Sequence, residues 1–140
     1  MYKKFKKVVM GSAIALTALI ATSQPAEVQA SQGNFDFRIH APAPHVNSVR
    51  RTTFRAKTNN SNTAAWVNPR GTFTATTFAL EESSSLRLST RTISSVTTSG
   101  QRNFTWASGF GAQGTQHRLV GHATNFSNPN SYQVQGTWRP

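Results

Sequence analysis

The sequence predicts an all-β protein, an antiparallel β-sandwich of about seven or eight strands, and three observations point to it. Apolar and polar residues alternate with a period of two in several windows. The segments between are rich in threonine, valine, isoleucine and phenylalanine. After residue 30, no window repeats apolar residues at helical spacing together with good helix formers. A period of two sends successive side chains to opposite faces of a sheet, so each alternating run reads as a strand with one buried and one wet face.

The first thirty residues stand apart from this pattern. Lys3, Lys4, Lys6 and Lys7 precede an apolar run over residues 8–21, and a segment with small residues, ending in Val28-Gln29-Ala30, follows. Positive region, apolar region and small-residue cleavage region, in that order, predict a cleavable signal peptide over residues 1–30. The apolar run is shorter than the roughly 20 residues that cross a bilayer, so no permanent membrane span is expected after cleavage. Residues 31–140 then form a single domain, and the expected location is secreted, extracellular or wall-associated.

Within that domain the first strand is expected where Phe35, Phe37 and Ile39 alternate with Asp36, Arg38 and His40. Pro42 and Pro44 remove two backbone donors and hold residues 41–44 as an extended linker. Strands are predicted over residues 49–57, 72–80, 86–96 and 116–123, each bounded by Gly, Pro, Asn or Ser, with Trp66 and Val67 as a possible eighth strand. Residues 81–85, Glu-Glu-Ser-Ser-Ser, read as a hairpin loop, and the glycine-dense residues 108–114 as a loop whose Phe110 folds back on the core. Phe104 and Trp106, then Tyr132, Val134 and Trp138, complete the alternating set. Two corners echo one another: residues 58–62 lead to Trp66 and residues 124–128 to Tyr132, and their Asn and Ser side chains are suited to closing tight turns.

Composition removes several functions. The chain has no cysteine, which rules out thiol catalysis and thiolate metal sites. Asp36, Glu81 and Glu82 are the only carboxylic side chains after residue 30, and two of them are adjacent, an unsuitable arrangement for a separated catalytic acid and base. No Gly-x-Ser-x-Gly elbow marks a nucleophile, so the chain is expected not to be an enzyme. His40 and His45, like His117 and His122, are five apart, a spacing that points to opposite faces of a strand, so neither a metal site nor another cofactor is expected.

Charge is the informative feature. Eleven lysines and arginines face three acids after residue 30, ten of the eleven being arginine, whose planar fork binds phosphate at two points. Arg51, Arg55 and Lys57 alternate with Phe54 and Ala56, while Arg87 and Arg91 alternate with Leu86 and Leu88. If both segments are regular strands of one sheet, these five form a solvent-facing basic stripe suited to a phosphate-rich polymer. Charge that merely keeps the protein soluble, or protects edge strands, is the competing reading. No nucleic-acid-binding module is recognisable, and the aromatics alternate as core residues, so nucleic acid is not the expected partner.

The leader, the Thr-Asn-x-Ser-Asn corners and the closing Tyr132-x-Val134-x-Gly136-x-Trp138 strand resemble small uncharacterised exported proteins of Gram-positive bacteria. These include the β-sandwich bacteriocins of the lactococcin 972 type. The resemblance covers the leader and the last third of the chain, and it implies a β-sandwich and a role outside the cell. The expected function is non-catalytic binding of an anionic cell-wall polymer or lipid surface through Arg51, Arg55, Lys57, Arg87 and Arg91. The alternative is a bacteriocin-like antimicrobial acting on the envelope of competitors.

Overall fold

The computed structural model describes residues 32–40, 49–60, 63–125 and 130–140. The expected leader, the proline linker with His45 and most of the second Asn-rich corner lie outside these residues. All described secondary structure is β, in two antiparallel sheets. The first sheet has the order β1 (Gly33–Ile39), β9 (Tyr132–Arg139), β4 (Trp66–Arg70), β7 (Arg102–Asn103). In the second, β2 (Arg50–Arg51) and β3 (Arg55–Ala56) both pair with β8 (Gln116–Ala123), followed by β5 (Thr72–Glu82) and β6 (Ile93–Thr98).

The period of two in β1 is realised residue by residue, with Phe35, Phe37 and Ile39 buried and Asn34, Asp36 and Arg38 exposed. These side chains join Val67, Val134 and Trp138 of the first sheet and Phe78, Leu80, Val96, Leu119 and Ala123 of the second in one core. The sheets meet through aromatic rings: the Phe35 and Phe78 centroids lie 5.8 Å apart, edge to face. Phe37 reaches across to Gly121 of β8, where an added Cβ would sit 2.8 Å from its ring. Gly136 of β9 is similarly hemmed in, because a Cβ there would approach the Asn68 carbonyl oxygen of β4 to 2.3 Å and the Phe35 ring to 2.8 Å.

Trp66 and Val67 belong to a full strand that contains Pro69. A proline cannot donate to a sheet ladder, and β4 tolerates it because β7 covers only Trp66 and Val67, leaving Pro69 with a single strand neighbour. Its carbonyl instead accepts a hydrogen bond from the Gly100 amide at 3.3 Å.

Three expectations are corrected. Residues 49–57 do not form one strand: β2 and β3 flank a break at residues 52–54, where the Thr52 hydroxyl takes over part of the ladder by accepting from the Leu119 amide at 2.9 Å. Residues 86–92 are not a regular strand either, since Leu86 adopts a positive φ of 53° and only isolated bridges, Glu81 to Leu88 and Thr90 to Trp106, tie them down. Leu86 and Leu88 consequently face solvent, while Ser89 and Thr90 are buried. Glu81 and Glu82 end β5 rather than forming a loop tip, and the turn itself is Ser83-Ser84-Ser85.

Candidate anion-binding surface

The geometry of the three acids decides how much positive charge remains unneutralised. Glu81 is buried near the end of β5, where it faces Arg118 across the β5–β8 pair. Its Oε1 accepts from Arg118 Nε at 3.0 Å and from Arg118 Nη2, and its Oε2 from Arg51 Nε at 3.4 Å. The Arg118 guanidinium also lies 4.6 Å from the Phe54 ring centroid, so that arginine is held from both sides. Glu82 accepts from the Ser84 and Ser85 hydroxyls at 2.8 and 3.2 Å. Asp36, on the outer face of β1, accepts from the Gln133 and Gln135 amides of β9 at 2.7 and 3.0 Å. Those two bonds hold its carboxyl below the usual carboxylate value. Among the described residues, ion pairs form with Glu81 alone.

The five residues predicted for the binding surface do not form one stripe. Arg51 pairs with Val120 and Arg55 with His117. Those partners are three apart on the regular strand β8 and therefore face opposite ways, so the break between β2 and β3 also turns Arg55 away from Arg51. Arg51 keeps 43% of its side chain exposed beside Glu81. Arg55 is half-buried, with its guanidinium folded over Gly33, where even a Cβ would sit 2.3 Å from Nε. Arg87 and Arg91 are exposed, on the connection between β5 and β6.

Lys57 is a correction. Rather than facing solvent it is fully buried, and its ammonium donates to Asn59 Oδ1 at 2.5 Å, the Asn60 carbonyl at 2.9 Å and the Thr63 carbonyl at 3.0 Å. The Trp106 ring centroid is 5.4 Å away. Burial, reinforced by the positive charge of Arg139, pushes the lysine below its ordinary value. The side chain pins the corner after β3 and presents nothing to a ligand.

Sequence reasoning passed over Arg38 and Arg50. With Arg51, Thr52, Thr53 and residues 34–37 of β1, the Asp36 carboxylate among them, they line a groove of about 460 Å³, where β1, at the edge of the first sheet, approaches β2, at the edge of the second. Arg50 Nε donates to the Arg38 carbonyl at 2.7 Å and ties the two edges together. The outward position of Arg38 was readable from the alternation of β1, and the Arg50-Arg51 dipeptide from the chain itself. Their convergence depends on sheet topology.

His117 and Ser89 are buried, with the half-buried Thr115 beside them. Its Nδ1 lies 2.9 Å from the Ser89 hydroxyl and its Nε2 2.7 Å from that of Thr115, with the ring 5.0 Å from Trp106. Burial is the main cause of a value pushed down to about 4, so the imidazole is neutral near pH 7. The Ser89–His117 pair is sealed from solvent, and Asp36 bonds to glutamines rather than to it. His122, five residues on, is only half-buried and lies 2.9 Å from the Ala123 carbonyl. Comparison with known protein families, curated proteins and solved structures finds no match for this chain.

Proposed function

We propose that this protein is a secreted, non-catalytic, cationic β-sandwich that binds anionic polymers or surfaces of the cell envelope. One observation carries the reading: each acid in the described residues is engaged by neighbouring side chains, and ion pairing stops at Glu81, which leaves most of the arginines without a counter-charge. Arg38, Arg50 and Arg51 lie along one groove, while Arg87 and Arg91 present a second cationic point on the β5–β6 connection. A polyanion can engage several guanidinium groups at once, and each contact adds salt-sensitive attraction.

Co-sedimentation with purified Gram-positive cell walls tests this. Binding should weaken steeply between low and high salt, fall on removal of teichoic acid, and drop several-fold in an Arg38→Gln/Arg50→Gln double variant. Salt-independent binding, or no binding to any anionic polymer or surface, would refute it. Killing of related strains by the purified protein would favour the antimicrobial reading instead.

A further inference from the structure

The large hydrophobic side chains left exposed among the described residues are two, and they sit together. Leu86 is 63% and Leu88 47% exposed, on either side of Arg87 at the tip of the β5–β6 connection. This protein needs its large apolar residues inside, since the alternating strands supply few of them, so two leucines spent on one tip call for an explanation. Solubility explains the neighbouring arginines but not these leucines.

Backbone geometry is the second, independent observation. Leu86 has a φ of 53°, in the left-handed region where a bulky side chain is strained and glycine or asparagine is the usual occupant. The turn is built to hold that conformation: the Leu86 amide donates to the Glu82 carbonyl at 2.9 Å, and the Glu82 amide to the Arg87 carbonyl at 3.0 Å. The Ser84 and Ser85 hydroxyls both donate to the Glu82 carboxylate, and the Ser85 hydroxyl accepts from the Arg87 amide at 3.3 Å. A rigid turn thus presents a strained leucine to water, and local strain of this kind is retained where a site uses it.

We infer that this tip is a lipid-docking element: Leu86 and Leu88 enter the interfacial layer of an anionic bilayer while Arg87 and Arg91 meet the headgroup phosphates. The inference rests on the proposed binding of anionic surfaces and names the bilayer as the surface this part of the molecule recognises. Apolar burial and attraction to anionic headgroups add in such contacts, and the fork-shaped guanidinium of Arg87, between the two leucines in sequence, suits a phosphate. Arg87 and Arg91 take part in no ion pair among the described residues, so their charge is available to the lipid.

Co-sedimentation of the protein as its host exports it with phosphatidylglycerol–phosphatidylcholine vesicles, against vesicles of phosphatidylcholine alone, tests this. Leu86→Ser should lower affinity for the anionic vesicles roughly tenfold and Leu88→Ser about fivefold, because only the exposed part of each side chain, 63% and 47%, is left to bury on docking. Arg87→Gln/Arg91→Gln should reduce the preference for anionic over neutral vesicles several-fold, leaving the part that the groove arginines supply. Leu86→Gly separates docking from folding: it relieves the strained backbone and should raise Tm by a few degrees while still losing vesicle affinity. Unchanged vesicle affinity in the leucine variants overturns the inference. So does binding to teichoic-acid-bearing walls without binding to vesicles, which leaves the broader function standing. Failure to bind walls and vesicles alike removes both.

Discussion

At the scale of single residues, the chemistry that looks most alike in the sequence separates most in the fold. Lys57 and Arg51 both follow the polar period of residues 49–57, yet Arg51 reaches solvent and Lys57 is entirely enclosed. The break at residues 52–54 is responsible, because a strand that loses its ladder for three residues no longer carries its alternation across the gap. Lys57 then acts as an internal clamp, with three oxygen acceptors and the Trp106 ring around its ammonium. A Lys57→Met variant keeps much of the aliphatic stem but leaves the Asn60 and Thr63 carbonyls without this donor. It should therefore lose about 2 to 4 kcal/mol of stability in urea unfolding. Binding of the folded variant to anionic walls should stay within twofold of the parent. A large loss of binding at unchanged stability would mean that the ammonium reaches the ligand after all.

At the scale of elements, the sheets divide into a part that alternation made legible and a part that it did not. Strands β1, β5, β8 and β9 lie where period-two or β-rich runs place them, because their buried faces are fixed by packing against one core. The short strands β2, β3 and β7 are set by what they pair with, which one chain read in order does not reveal. The candidate surface suffered more than the fold. The alternation predicts Arg87 and Arg91 on a regular strand, whereas residues 86–92 pair only through isolated bridges and bury Ser89 and Thr90 in succession, which breaks the period that would align the two arginines with Arg51. Close approach between strands is equally hidden in sequence, and Gly136 shows it. It pairs with Phe35 on one side and Pro69 on the other, and an added methyl would collide with backbone, the Asn68 oxygen at 2.3 Å and the Pro69 Cα at 2.8 Å. Backbone cannot swing aside as a flexible side chain can, so Gly136→Ala should cost about 3 kcal/mol or prevent folding. The nearest atoms to a Cβ at Gly33 all belong to the far end of the Arg55 side chain, which can rotate where backbone cannot, so Gly33→Ala should cost far less. Equal destabilisation of the two variants in thermal melts would show that β4 and β9 are not so tightly apposed.

At the scale of the whole molecule, the buried imidazole and the excess of positive charge both predict weakness in acid, and they can be told apart. His117 has a folded value near 4 against an ordinary value of 6.5, so between these limits the unfolded chain binds more protons than the native one. Its contribution to stability is fully present above pH 6.5, declines as pH falls toward 4, and declines no further once both states are protonated. A shift of that size corresponds to roughly 3 kcal/mol, all of it lost within that window. Charge repulsion acts among the exposed arginines instead, and Asp36, held low by its two glutamines, keeps its negative charge into more acid solution than an ordinary carboxylate. Salt screens repulsion between surface arginines but does little for an imidazolium confined beside Trp106, Ser89 and Thr115. Urea unfolding should therefore show a fall in stability between pH 7 and pH 4.5 that persists at high salt, and a His117→Gln variant, though less stable at neutral pH, should be flat across the same range. A parent protein equally stable at both values, or a fall abolished by salt alone, would show that the histidine pocket admits a proton freely and that surface repulsion governs the acid response.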